Sequence, residues 1–448
     1  MPRLSYCWRC HDPAALYSLS SLVDSSIRRL LRWIIVAGGE GLGEFQFELA
    51  SLPVPLGGLG ISMSSDLLAY SYAASRIASH ALSNRMFPQL PVGFRDVHDH
   101  LDAFIASLHP ADRPGGVGLV DHAKELLASL LPQQNKQHYM ATLYTKSKHW
   151  RLSNHAYLRQ AIFRSWSSQH RYLLSALSGP LSGRLVGRRG ETRSYSNLTY
   201  HWLFAIPNPR LGQCMEAALF RAALRFRLLI PFRANPHMCP AAACGCIADP
   251  FGYHALDCSQ FASERTERHE GVADALFSLA SAARYRRPQR NPSIHTLGMS
   301  RAGNPQLLRP ADLLFVDDAG GRICIDVTVV SPLSVSRTGT SAGRQLGRAV
   351  IDAAIDKIDK HDQPCDINML AFFPFAADVC GYIDQDAEDL LTSFAHRIGK
   401  INGRGSHDAM RWCRRRISVA LQIGVARQLV DFFGQTRVEG EDSSVCLA

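Results

Sequence analysis

The chain has 448 residues, 46% of them hydrophobic, and carries a formal charge of +10 at pH 7 with a pI near 9.1. That length is too great for one core and predicts two or three domains, while the apolar content lets each of them pack well. The charge suits a polyanionic partner, and 12 cysteines at irregular spacing argue against a secreted, disulfide-built protein. The opening residues, Met1-Pro2-Arg3-Leu4-Ser5-Tyr6-Cys7, hold no apolar signal-peptide core, and no run reaches the roughly 18 apolar residues of a membrane span. These features predict a soluble, intracellular protein with no membrane partner.

Residues 1–235 read as mostly helical. Leu16–Val36 has apolar residues at helical spacing, with Arg28, Arg29 and Arg32 on another face. Cys7, Cys10 and His11 offer half a zinc site that nothing nearby completes. The Pro/Gly turn Leu52–Ile61 leads into a helix near Ser65–His80, and the Pro/Gly-rich stretch Arg95–Asp121 reads as a surface loop or joint. From Lys146 to Arg193 basic and aromatic residues interleave, including Lys148, Trp150, Arg151, Tyr157, Arg171 and Tyr172. Such a mixture fits a surface that tracks phosphates and stacks bases, or an ordinary solvated helix face with its aromatic residues in the core.

The next informative stretch is Cys239 to Cys258. Cys244, Cys246, His254 and Cys258 supply three thiolates and an imidazole, a full tetrahedral set for zinc, with Cys239 as an alternate ligand that could replace Cys244. The turn Asp249-Pro250-Phe251-Gly252 brings the two halves together. A site filled by four protein ligands is structural, since no position is left for a substrate.

Arg309 to Pro332 then gives a hairpin signal. Two apolar runs, Leu313–Val316 and Ile323–Val330, flank the loop Asp317-Asp318-Ala319-Gly320-Gly321. A five-residue loop pairs Val316 with Arg322, Leu314 with Cys324 and Asp312 with Asp326. Alternation puts Leu313, Phe315, Ile323, Ile325, Val327 and Val329 on one apolar face, and both Asp312 and Asp326 on the other. Two carboxylates about 5 Å apart are costly unless a cation lies between them, and magnesium is the usual cation for hard oxygen ligands. Phe315-Val316-Asp317-Asp318 mimics the acidic box of a polymerase, but Asp317 and Asp318 read as turn residues.

The order of these motifs carries a resemblance. Cys244–Cys258, Arg268-His269, Arg309-Pro310-Ala311-Asp312 and Asp326–Pro332 resemble the C-terminal part of non-LTR retrotransposon polyproteins. There a zinc knuckle and a restriction-endonuclease-like domain follow the reverse transcriptase. The Leu52–Ile61 turn resembles the segment behind the polymerase thumb in the same polyproteins. The resemblance implies an endonuclease that nicks one DNA strand to prime reverse transcription, with Asp312 and Asp326 holding catalytic magnesium. It implies a lysine near the second acid. Thr328 occupies the usual position, so the resemblance points to a lysine on the following helix, read as Ser341–Asp362: Lys357 or Lys360. A further acid that the family places earlier is not evident, since Tyr285-Arg286-Arg287-Pro288-Gln289-Arg290 stands there.

Asn368–Phe375 reads as a further strand, and Ala387–Ile398 and Ala409–Phe433 as helices. Arg411, Arg414 and Arg415 in the last helix, with Arg268, His269 and Arg309, are the candidate nucleic-acid contacts. The predicted fold is α+β: a helical nucleic-acid-binding region (1–235), a zinc knuckle (236–262), an α/β restriction-endonuclease-like domain with a central mixed sheet (263–433) and a polar tail (434–448). The predicted function is metal-dependent nicking of DNA, with structural zinc, catalytic magnesium, DNA and RNA as partners and a nuclear location. The alternatives are a catalytically inactive zinc-knuckle remnant that binds nucleic acid, and a reverse transcriptase fragment using Asp317 and Asp318.

Overall fold

The structure, a computed structural model, describes residues 7–37, 41–86, 104–106, 133–155, 164–292, 311–334, 345–403 and 405–434. The chain divides into two compact units, Met1–Gln160 and Ala161–Ala448.

The first unit is helical: α1 (Pro13–Val36), α2 (Glu44–Ser51), α3 (Ser64–Met86) and α4 (Gln133–Ser153). Asp12 caps α1 by accepting the Ala14 N–H at 2.7 Å, and Pro13 opens its first turn, where a missing N–H costs nothing. The start of α3 is tied to α1 by buried Asp24, which accepts the N–H groups of Ser64 and Ser65. Asp66 on α3 takes the Tyr144 hydroxyl and the Lys148 ammonium of α4, each at 2.6 Å.

The second unit is α+β. A seven-stranded sheet runs in the order β1-β2-β9-β8-β7-β6-β5. Its strands are β1 (Ser182–Val186), β2 (Thr192–Asn197), β5 (Arg286–Arg290), β6 (Leu313–Val316), β7 (Arg322–Val330), β8 (Leu370–Asp378) and β9 (Tyr382–Asp384). Among the described strands only β7 and β8 pair in parallel, joined through a helix, so the sheet is mixed. A separate two-stranded ribbon is made by β3 (His237–Met238) and β4 (Ile247–Ala248). Among the described residues six α-helices accompany the sheet: α5 (Arg164–Leu177), α6 (Ala217–Arg227), α7 (Ala262–Ala282), α8 (Arg348–Ile367), α9 (Gln385–Asn402) and α10 (Ser406–Gly434).

The hairpin register is the predicted one, with Val316 opposite Arg322 and Leu314 opposite Cys324. On the apolar face Leu313, Phe315, Ile325 and Val327 are buried, and Phe315 packs with Tyr285 and with Phe394 of α9. The other face of the hairpin meets α8, through Leu314, Cys324, Cys365, Leu370 and Phe372. Edge strand β5 is poor material for further pairing, with a register shift, Pro288 and three arginines. By length and composition α10 could cross a membrane, but 61% of its most apolar window is buried inside the protein, where it packs on α7, α9 and α6.

One sequence expectation changes here. The sequence pattern groups residues 161–235 with the N-terminal helices, yet they supply β1 and β2 to the C-terminal sheet. The local signal was the turn Gly187-Arg188-Arg189-Gly190, in which Gly190 has φ +87°. The polar character of Thr192–Asn197 hid its strand, which is buried by pairing with β9 rather than by its own hydrophobicity.

Phe394 is fully buried between Tyr285 and Phe315. Phe394→Ala should cost about 3–5 kcal/mol, read as a lower denaturant midpoint by tryptophan fluorescence. A change below about 1 kcal/mol would contradict this packing.

Candidate active site and metal centre

At the open end of the hairpin, Asp312 precedes β6 and Asp326 lies in β7. The Asp312 N–H donates to the Ile325 carbonyl at 2.8 Å, continuing the ladder by one residue. Its Oδ2 accepts from the Val327 N–H at 2.7 Å and from His269 Nε2 of α7 at 3.0 Å. His269 Nε2 also lies 3.1 Å from the Val327 carbonyl. Both partners are acceptors, so that nitrogen carries the proton. The two carboxyl groups are close enough for the charge of each to act on the other, with Asp312 held by His269 of α7 and Asp326 beside Lys357 of α8.

Asp326 is buried, with the Lys357 ammonium of α8 at 2.7 Å from its Oδ2 and His361 Nε2 at 3.6 Å. The Lys357 contact is a close ion pair without the alignment of a hydrogen bond, so Oδ2 keeps an unused lone pair. Burial pushes Asp326 up to about 6, reinforced by the Asp312 charge and opposed by Lys357. Burial acts on Asp312 in the same sense, but the hydrogen bond and charge of His269 and the Val327 N–H outweigh it and hold that carboxyl below its ordinary value. The same pairing raises His269 despite its own burial. His361 is pushed down to about 4 by burial, helped by Lys360 and Lys357.

Of the two candidate lysines, α8 brings Lys357 to the pair, while Lys360 is exposed. His269, His361 and Glu270 were not recognised as members of this site. His361 follows Lys357 by one helical turn, a legible signal. Glu270 pairs with Arg290 of β5 and has its Oε1 3.5 Å from His269 Nδ1. The stretch Tyr285–Arg290, where the resemblance implies an earlier acid, thus supplies the arginine that holds one. Asp317 and Asp318 sit in the turn at the far end of β6: Asp317 accepts the Gly321 N–H at 2.6 Å, and Asp318 pairs with Arg397 at 2.7 Å.

The cysteine cluster forms a second centre. Cys239, Cys244, His254 and Cys258 point their ligand atoms to within 4.8 Å of one another. Cys244 Sγ lies 3.7 Å from Cys258 Sγ and 3.5 Å from His254 Nε2, and Cys239 Sγ lies 3.9 Å from Cys258 Sγ. A zinc tetrahedron with ordinary bond lengths has S–S edges of about 3.8 Å and S–N edges of about 3.5 Å. The cluster could therefore bind a metal such as zinc. Cys246, expected as a ligand, is exposed and outside this set, and Cys239 takes its place. The ribbon decides this: the Cys239 N–H donates to the Cys246 carbonyl at 2.9 Å, and Gly245, at φ +63°, reverses the chain between Cys244 and Cys246. Buried Asp249 holds the other half by accepting the N–H groups of Phe251, Tyr253 and His254.

The expected nucleic-acid contacts divide. Arg268 is buried, donating to Gln428 at 2.7 Å and to the Val329 carbonyl, so it ties α7 to α10 and β7 and does not face a ligand. Burial pushes its guanidinium down to about 10. His269 belongs to the acid pair. Arg411 is exposed beside Asp408, Arg414 pairs with Glu388, and Arg415 is half-buried. Arg309 lies outside the described residues. The basic and aromatic stretch from Lys146 is split between the two units: Lys148 is buried against Asp66, Tyr172 is in the second core, and Arg188 and Arg193 are ion-paired.

No protein-family profile matches the chain, and no curated protein is similar to it.

If Cys239 is the fourth ligand, Cys239→Ser should reduce bound zinc well below about one per chain, while Cys246→Ser leaves it unchanged. Elemental analysis of the purified variants measures this, and the opposite pattern would restore Cys246 as the ligand.

Proposed function

We propose that this chain is a magnesium-dependent DNA endonuclease module of a non-LTR retrotransposon, and that its second unit has a restriction-endonuclease-like fold. The observation that carries this reading is the neighbouring pair Asp312 and Asp326, with the Lys357 ammonium 2.7 Å from the second acid. The mixed sheet supports it, as does the Cys/His cluster immediately ahead of α7.

The donor set fits magnesium. Two hard oxygen donors of like charge are packed together, one buried with a lone pair unused, and such a pair invites a divalent cation. Asp312 and Asp326 would hold it, and magnesium bound there supplies the Lewis acidity that makes hydroxide from water and offsets charge on the attacked phosphate. The chain's own residues do the rest. His269 and the Val327 N–H lock Asp312 in one orientation. Lys357 keeps positive charge beside the pair, where negative charge grows on a phosphodiester under attack. Nicking of chromosomal DNA would take place in the nucleus, and element RNA would be a second partner. The polymerase reading draws no support from Asp317 and Asp318, which are engaged in a turn and with Arg397.

Purified protein should nick supercoiled plasmid in magnesium, and Asp312→Ala, Asp326→Ala and Lys357→Ala should each lower the rate by about 100-fold or more. Lys360→Ala should stay near wild type. Equal nicking by all of these proteins would sink the assignment, and DNA binding with no cleavage by the wild type would favour the inactive remnant.

The raised Asp326 adds a pH dependence. Its protonated form accumulates below about pH 6, and magnesium needs the carboxylate, so each ion bound displaces one proton. Apparent magnesium affinity should fall about tenfold per pH unit below that point and stay flat above it. Isothermal titration with magnesium across pH 5 to 8, in steps of roughly half a unit, would show this break, and a flat profile would contradict it.

A further inference from the structure

The first unit contains a cavity that the nuclease reading does not use. It has a volume of about 380 Å³ and is lined by Ser25, Arg28, Arg29 and Arg32 of α1, and by Leu42, Glu44 and Phe47 at α2. Arg28 is fixed: Glu44 grips its guanidinium with both oxygens, and the guanidinium lies 4.9 Å from the Phe47 ring centre. Arg32 lies 6.0 Å from the same ring. The floor of the cavity is therefore apolar and rigid, since Leu42 and Phe47 are buried. Arg29 and Arg32 are exposed and have no acidic partner among the described residues. One turn beyond Arg29 and next to Arg32 stands Trp33, 52% exposed.

We infer that this cavity binds a backbone phosphate of single-stranded nucleic acid, through Arg29 and Arg32, with Trp33 stacking on the adjoining base. The chemistry matches that class. Guanidinium forks suit phosphate oxygens, and an exposed indole beside a basic groove is the usual platform for an unpaired base. Arg28 contributes by position: neutralised by Glu44, it walls the cavity and leaves the two free arginines to meet the anion. The exposed indole beside two guanidiniums favours a strand over a lipid surface, although Tyr17, Leu19, Leu22 and Leu30 are also exposed on α1. The site lies in a different unit from the acid pair and does not depend on cleavage.

The test is fluorescence anisotropy of the full chain with a labelled single-stranded oligonucleotide, in EDTA so that no strand is cut. Arg29→Glu with Arg32→Glu should weaken binding at least about tenfold and flatten the slope of log affinity against log salt by roughly one to two. Arg29→Lys with Arg32→Lys keeps the charge and should keep the salt slope. Trp33→Ala should weaken binding about fivefold or more without changing that slope. Lys360→Ala, exposed and apart from the acid pair, should bind as wild type, and because binding is read in EDTA and nicking in magnesium the two losses are separately readable. Unchanged affinity and slope in the double charge reversal, with native far-UV circular dichroism, would overturn the inference. So would loss of binding to phosphatidylserine vesicles with oligonucleotide binding intact.

Discussion

The contact between Asp326 and Lys357 sets the terms for the second unit. A carboxylate on a buried strand loses its hydration, and it is tolerated because an ammonium and a polar neighbour stand beside it. That requirement couples β7 to α8. The helix must return across the face that carries Asp326 before the chain enters β8, and the parallel pairing of β7 with β8 along nine residues brings it there. The mixed character of this face then has a reason. Cys324 and Leu314, toward the loop end, pack into the apolar cluster under α8, while Asp326, toward the open end, meets Lys357 and His361.

The acid pair and the cysteine cluster are joined by a short piece of chain. Cys258, a member of the cluster, precedes the single turn Ser259–Phe261, and α7 begins at Ala262. His269 and Arg268 follow two turns into that helix. One reaches Asp312, and the other reaches the end of β7 and α10. Closure of the cluster by a metal would thus fix the start of the helix that orients Asp312. The two sites divide by ligand chemistry as well: thiolates and imidazole suit zinc, while carboxylates suit magnesium.

Charge follows the same separation. Several arginines expected at a nucleic-acid surface are engaged by other residues of the chain: Arg268 in the core, and Arg188, Arg193 and Arg414 in ion pairs. The net charge of +10 therefore says little about where a polyanion would lie. The arginines without an acid among the described residues, Arg29 and Arg32 included, are more informative than the total.

Much of this could be read from the sequence, because the interactions concerned are local. The β6–β7 register followed from a five-residue loop and the two-residue period of a strand, which put Asp312 and Asp326 side by side. The helices near Leu16–Val36, Ala387–Ile398 and Ala409–Phe433 followed from apolar spacing. The tertiary structure decided the choices that spacing leaves open. On spacing Cys246 is the expected ligand and Cys239 the spare, and only the β3–β4 ribbon turns Cys239 inward in place of Cys246. Lys357 and Lys360 share a helix, and only the way α8 crosses the sheet brings Lys357 to Asp326. His269 lies 43 residues from Asp312 in sequence, so no local pattern could have shown that contact, and Thr192–Asn197, marked locally only by the Gly187–Gly190 turn, owes its burial to pairing with β9. Short-range geometry is written in the order of residues, whereas contacts across the fold depend on which faces the packed elements turn toward one another.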